Sequence, residues 1–325
     1  MSTLATVGVL ILLAFLFPEL GKKGGILRSE YWTQIGVFII FLGMGLSLKR
    51  ERWIEGLRSR SFILHLMIFQ FLISPLIGWG VVLLFPSLDP RMKFAFFFLT
   101  ALPTTISSAS VFTQKSGENP ALSAIASVSS NCTAVFLTPF WISIYLSEKS
   151  IGVISYRELL TPIVGSLIIP TVIGFIGRGV IGSFFEKYSG EISTLNMGIV
   201  FFILYTAFCD VFAMEVVTNC DLPLDQLLIL GLLTLTFLIF SHALLFWFGI
   251  KFHSHHPFSF LFSGAQKSIA TGAPIALVIV AQSEAILSVP LSYGLILLPF
   301  VIYHPSQILL GTWILKMKAR FLSYF

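Results

Sequence analysis

The sequence predicts an all-α polytopic membrane protein in which a single membrane domain occupies residues 1–325 and ten transmembrane helices form an inverted five-helix repeat. Three observations lead there. The composition is 56% hydrophobic and 11% charged, with 33 phenylalanines. A bilayer-spanning helix needs about 20 mostly apolar residues, and windows of that length recur along the whole chain between short charged or Pro/Gly-containing joints. Transmembrane β-strands would alternate apolar and polar residues, whereas stretches such as LILGLLTLTFLIF, Leu228–Phe240, have no alternation.

The spans follow in order. Residues 3–18 open the chain without a basic region before them or a small-residue cleavage site after them, so a short first helix is expected rather than a cleaved signal. Residues 31–48 follow, ending in GMGLSL, and the loop KRERWIEGLRSR (Lys49–Arg60) leads into 61–85. The fourth span, 92–115, is interrupted at LPTTISSAS, and 120–146 completes the first five. Spans 159–182, 192–214 and 225–250 precede a ninth, 258–282, interrupted at SGAQKS, and 290–315 is the tenth. With both termini cytoplasmic, 12 of the 20 Lys and Arg fall in cytoplasmic loops and 7 outside, as the positive-inside rule asks. Lys267 is the remaining one, inside a span. The net charge of +5 therefore faces anionic lipid and needs no nucleic acid. An inner-membrane location follows. Cys132, Cys209 and Cys220 are too scattered for a disulfide framework or a thiolate metal site and read as small buried residues.

The repeat is visible in FLTPFW (Phe136–Trp141) and LLPFVI (Leu297–Ile302), where Leu137, Pro139 and Phe140 align on Leu297, Pro299 and Phe300 at an offset of 160. Residues 1–147 and 157–318 are the two copies. Because five is odd, the second copy enters the membrane from the opposite side. The same offset carries Pro103 to Ser263, so both fourth helices are interrupted at corresponding places. Paired interruptions of this kind point to a mid-membrane transporter site, since unwound backbone is tolerated only where it lines a cavity or is buried in protein.

These residues resemble the bile acid:sodium symporter family, solute carrier family 10, over essentially the whole chain. The resemblance rests on GMGLSL, QFLISPL (Gln70–Leu76), the break at Pro103, NPALSAIASVSS (Asn119–Ser130) followed by LTP, and the G-x-Q-x-S of Gly264, Gln266 and Ser268. It implies panel and core domains, broken helices 4 and 9 crossing at their centres, and sodium-coupled uptake of an amphipathic organic anion by alternating access. Family members with two sodium ions carry a Glu where this chain has Phe262, an Asn where it has Ala109, and an Asn where it has Lys267. Ser108, Ser123 and Ser127 match hydroxyl ligands of the first sodium site, and Gln70 and Gln266 match the second. These departures, with YTAFCD (Tyr205–Asp210), make the chain look like a bacterial homologue nearest the seventh-member branch.

An ammonium at the bilayer centre costs about 2.5–3.5 kcal/mol on insertion scales. Lys267 is therefore expected among the carbonyls of both broken helices and the hydroxyls of Ser108, Ser123 and Ser127, as a tethered substitute for one cation. Sodium or a proton is the candidate coupling ion, and no other cofactor is expected. Thr104, Thr105, Ser107 and Ser108 are expected to contact substrate or ion from the first break, and Gln266, Lys267 and Ser268 from the second. Gln70, Ser123, Ser127 and Asn131 form the supporting walls. Asp210, Glu215, Asp221 and Asp225 read either as a cation-gathering lip or as a solvated loop. HSHH (His253–His256) has no carboxylate nearby and reads as a loop rather than a metal tract. His65, His242 and His304 read as hydrogen-bonded interior histidines. No hydrolase, redox or phosphate-loop motif appears, so an enzyme is not expected. The rival reading is a non-transporting regulator of cation (calcium) homeostasis acting on a partner protein.

Overall fold

The computed structural model describes residues 3–22, 24–47, 59–148, 157, 161–162, 164–213, 223–286 and 293–322. Most of the loop before Arg60, together with Lys149, Glu215, Cys220 and Asp221, lies outside them, as does the side chain of Ser107. The described residues are helical with no strand. Among the described residues, besides a single turn at Pro18–Gly21, twelve longer helices carry the fold: α1 Thr3–Leu16, α2 Ser29–Ser47, α3 Arg60–Leu84, α4 Pro90–Thr100, α5 Ile106–Lys115, α6 Pro120–Glu148, α7 Val164–Lys187, α8 Ser189–Ala213, α9 Leu224–Phe252, α10 Pro257–Ala265, α11 Ile269–Ile286 and α12 Tyr293–Leu322. Among the described residues, six stretches within these helices are long and apolar enough to cross a membrane: Arg60–Leu84, Pro120–Ser147, Val164–Lys187, Ser189–Asp210, Leu224–Phe252 and Tyr293–Arg320. The protein is a multi-pass membrane protein.

The chain divides into two units. The first comprises 1–49, 139–227 and 272–298, and the second 50–138, 228–271 and 299–325. The boundaries at Pro139 and Pro299 fall inside α6 and α12, at the two prolines that the sequence sets 160 residues apart.

In the first unit α2 and α7 meet at small residues. A Cβ at Gly45 would sit 2.0 Å from the Thr171 carbonyl oxygen, and one at Gly174 would sit 2.1 Å from that of Leu42. Glycine at both positions lets the backbones touch, the usual basis of helix association in lipid. Arg178 caps the end of α2 by donating to the Leu46 carbonyl and also pairs with Glu186. The opposite face of α7 is a stripe of Ile169, Val172, Ile173, Ile176, Val180 and Phe184, all exposed apolar side chains suited to hydrocarbon.

The second unit is built around α4. Asp89 caps this helix by accepting from the Arg91 amide at 2.7 Å, and Pro90 stands at the first helical position, where its missing N–H costs nothing. Burial alone would raise the Asp89 pKa, but the Arg91 side chain bonding both carboxylate oxygens holds it below its ordinary value. Along α4, Phe94, Phe96, Phe97 and Phe98 are all fully buried, the pattern of a helix enclosed on every side. In α3 a π-helical turn spans Phe69–Ile73 just before Pro75. Proline cannot donate to the preceding turn and its ring clashes with the carbonyl four residues back, and the wider turn relieves that clash. It also carries Gln70 into the interior.

Candidate functional site

Both interruptions read from the sequence are present. α4 stops at Thr100 and α5 starts at Ile106; α10 stops at Ala265 and α11 starts at Ile269. Pro103 explains the first, because it lacks an N–H and biases Leu102 away from helical geometry. The two interruptions meet backbone to backbone, with the Ser268 amide donating to the Pro103 carbonyl at 2.9 Å.

Unwinding leaves a run of carbonyls without intrahelical donors, and a membrane interior supplies no water to meet them. Here each carbonyl from Thr100 to Thr105 finds a donor. Thr100 accepts from Lys267 Nζ at 2.9 Å and Ser74 Oγ at 2.5 Å, and Ala101 accepts from Thr138 Oγ1 at 2.8 Å. Leu102 accepts from Lys267 Nζ at 2.8 Å and Pro103 from Ser268 N. Asn131 Nδ2 donates to Thr104 at 2.8 Å, and Ser127 Oγ to Thr105 at 3.3 Å. The lysine thus serves two carbonyls of the six and completes its third bond on Ser74 Oγ at 3.2 Å.

Lys267 is 1% exposed, and all three of its partners are uncharged. Its ammonium stands at the C-terminal end of α4, where the helix dipole presents partial negative charge. The sequence expectation is corrected in one respect. The ammonium bonds the carbonyls of the first broken helix, but the hydroxyls of Ser108, Ser123 and Ser127 are engaged elsewhere. Ser108 Oγ donates to Gln266 Oε1, Ser127 Oγ donates to Thr105, and Ser123 Oγ accepts from Ser263 Oγ at 2.7 Å. The physical reason is supply: the frayed end of α4 offers carbonyls that lack helical donors, whereas the three hydroxyls already have partners.

Gln70, Asn131 and Ser268 join the same network. Gln70 donates from Nε2 to the Ser263 carbonyl at 2.8 Å and accepts at Oε1 from Ser130 Oγ at 2.5 Å. Asn131 accepts at Oδ1 from Thr271 Oγ1, and Ser268 Oγ accepts from the Thr271 amide at 3.3 Å. Two buried polar atoms in the middle of this arrangement have no partner, Thr104 Oγ1 and Gln266 Nε2.

Sequence reading missed Ser74, Ser130, Thr138, Tyr303 and Gln307. Gln307 accepts from the Lys267 amide at 2.9 Å and donates to its carbonyl at 3.4 Å, and Tyr303 OH donates to Ala265 at 2.6 Å. None of them carries a local signature: Ser74 and Thr138 stand alone on apolar helices, and Ser130, Tyr303 and Gln307 sit among other polar side chains that take no part in the lysine's bonds. Outside the site, Gly117 at φ +80° closes α5 in a Schellman turn, with Gly117 N to Gln114 O and Glu118 N to Thr113 O. That turn delivers the Glu118 carboxylate to the start of α10, where it accepts from Phe258 N at 3.1 Å and Ser259 N at 2.7 Å.

A model of the SBF-like CPA transporter family matches residues 2–320. The chain belongs to that family. Among named relatives, sodium/bile acid cotransporter 7 of Danio rerio is 25% identical, covering 98% of this chain and 94% of its own length. The protein of that name from Xenopus tropicalis is 28% identical over 94% of this chain and 88% of its own. An uncharacterized protein of Pseudomonas aeruginosa is 29% identical over 98% and 92%. The sequence resemblance is thereby met, including its seventh-member branch.

In this SBF-like chain Phe262 is fully buried and stacks on Phe112, ring centroids 5.2 Å apart, so an apolar pair fills the position at which the resemblance puts a carboxylate. Ala109 is likewise fully buried. In the loop between α9 and α10, His253 Nε2 lies 3.0 Å from His65 Nδ1. Burial first, then repulsion from His65 and His256, lowers the His253 pKa below its ordinary value. Among the described residues, no three His, Cys, Asp or Glu side chains gather as a metal site.

Proposed function

We propose that this SBF-like protein is a secondary active transporter of an organic anion, working by alternating access, in which the Lys267 ammonium stands in for one coupling cation. The observation that carries the reading is the meeting of two interrupted helices around a buried lysine with only uncharged partners. Among the described residues no carboxylate pairs with it, and a bound anion would balance its positive charge. The N-termini of α5 and α11 add positive dipole ends. Thr105 makes no side-chain cap on α5, and Thr104 Oγ1 and Gln266 Nε2 offer unpartnered polar atoms beside it.

In this reading the ten spans cross the inner membrane as inverted repeats 1–147 and 157–318, with both termini cytoplasmic and the broken fourth and ninth spans crossing. Two of the relatives carry the name sodium/bile acid cotransporter 7. Coupling to the sodium that the ammonium replaces is lost in this chain or replaced by a proton, since Phe262 and Ala109 supply neither carboxylate nor amide. Thr104, Thr105, Ser107, Ser108, Gln266 and Ser268 contact the substrate or residual ion. Gln70, Ser123, Ser127 and Asn131 hold the two interruptions in register.

Counterflow in vesicles tests the reading. Preloaded organic anions, from simple carboxylates to steroid conjugates, are expected to drive uptake of the labelled anion by the wild type and to fail with Lys267→Met. Equal counterflow in Lys267→Met removes the lysine from the cycle. No counterflow with any of these anions removes transport, and the regulator reading then stands.

A further inference from the structure

Along α9, Leu228, Leu232, Leu235, Ile239, Phe246 and Ile250 form one apolar stripe, each between 37% and 66% exposed. In a spanning helix such a stripe faces hydrocarbon. Beside it, within the second unit, lies a cavity of about 530 Å³ whose lining includes His242 and Phe246 of α9, Phe258 of α10, and Leu310, Trp313 and Lys318 of α12. Its volume falls in the range of small-molecule sites, about 300–1,000 Å³. Ile239 at 62% and Trp313 at 58% exposure belong to the same lining, so the cavity opens sideways toward lipid.

Two polar groups face an otherwise apolar wall. His242 is 3% exposed and its Nδ1 lies 2.8 Å from the Leu238 carbonyl. A carbonyl only accepts, so Nδ1 carries the proton and Nε2 presents a lone pair. That Nε2 is buried and has no partner. An orphaned acceptor in an apolar wall is costly, which marks a place where a ligand donor belongs. Lys318 Nζ donates to the Ser116 carbonyl at 2.6 Å and lies 4.2 Å over the Phe258 ring. An ammonium has three donors, so two remain for an anion. Phe258 follows directly on the loop that ends α9, whereas His242 lies ten residues before Phe252, about 15 Å along the axis. The cation therefore stands near the membrane edge, and the acceptor stands deeper.

We propose that this cavity is a lateral binding site for an anionic membrane lipid with a hydroxylated acyl chain: the head group on Lys318, the chain against Phe246, Leu310 and Trp313, and the chain hydroxyl donating to His242 Nε2. The site is separate from the helix interruptions around Lys267 and does not depend on the transport reading.

The test is calorimetric titration of the full chain, in zwitterionic micelles, with stearate and with a mid-chain hydroxystearate. The hydroxylated probe is expected to bind about fivefold more tightly, the size of one added hydrogen bond. His242→Phe is expected to erase that preference while leaving stearate affinity within about twofold. Lys318→Gln is expected to weaken both probes by about fivefold or more, the scale of a lost charge-assisted contact. Ala243→Trp, which fills the cavity from α9, is expected to abolish binding of both; a circular dichroism spectrum checks its fold. Equal affinity of the two probes for the wild type, or an unchanged preference in His242→Phe, overturns the proposal. So does a chain that binds neither probe but self-associates in a manner lost in Ala243→Trp, since the cavity then receives a second copy.

Discussion

Replacing Lys267 separates its charge from its volume. In Lys267→Met the side chain still fills the site, but the Leu102 carbonyl loses its donor, while Thr100 keeps Ser74. One orphaned buried carbonyl costs about 1–3 kcal/mol. Removing the ammonium returns part of that, because its own desolvation is unfavourable by about 2.5–3.5 kcal/mol on insertion scales. The net expected for Lys267→Met is a modest loss, about 0–2 kcal/mol, or a Tm lower by no more than about 4 °C. Lys267→Ala adds a cavity, and large-to-small core changes cost about 2–5 kcal/mol. It also leaves the oxygens of Ser74, Thr100 and Leu102 facing a space where a cation fits. Thermal unfolding of purified protein in sodium against choline is the assay. Wild type and Lys267→Met are expected to be insensitive to sodium, and Lys267→Ala is expected to gain stability. At a sodium concentration 100 times its Kd the gain is about 2.7 kcal/mol. A sodium-specific rise in the wild type refutes the substitution argument, because a working ion site then exists beside the lysine.

Other expectations follow from single contacts. Gln307→Leu strips both backbone bonds from Lys267 and should cost about 1–3 kcal/mol, read as a lower Tm with helicity retained. Glu118→Gln replaces the charged cap on α10 with a weaker one and should lower stability by about 0.5–2 kcal/mol; an unchanged Tm would mean the carboxylate's bonds to Phe258 and Ser259 contribute nothing net. His253 titrates below its ordinary value of 6.5, so the unfolded chain takes up the proton first as pH falls. Stability should therefore decline as pH drops from about 6.5 until the folded-state value is reached, and His253→Gln should flatten that part of the pH profile.

The site's outline was legible because interruptions announce themselves locally. Pro103 with its Ser/Thr tail, and Gly264 to Ser268 inside an apolar run, are chemically unlike their surroundings, and both mark real breaks. What the sequence hid was the pairing. The Lys267 acceptors sit at Thr100, Leu102 and Ser74, more than 160 residues away, and two of them are main-chain oxygens with no residue preference. Ser74 looks like an isolated polar residue on an apolar helix and Gln307 like one polar residue of YHPSQ, and only the folded geometry turns them into partners. Gln70 was legible through the family resemblance alone; the physical cause of its inward position is the π-helical turn ahead of Pro75.

The separation in sequence between Lys267 and its acceptors also sets an order of assembly. Translation runs from the N-terminus, so α3 and α4 are made long before the lysine emerges. The ammonium enters a membrane in which the Leu102 carbonyl waits without a donor, while Thr100 is already held by Ser74, and lysine and carbonyl relieve each other's deficit on arrival. A chain halted before residue 267 leaves the Leu102 carbonyl bare in the membrane interior. Gln307 arrives later still and closes on the lysine's own backbone, so the locking of that buried ammonium waits for α12.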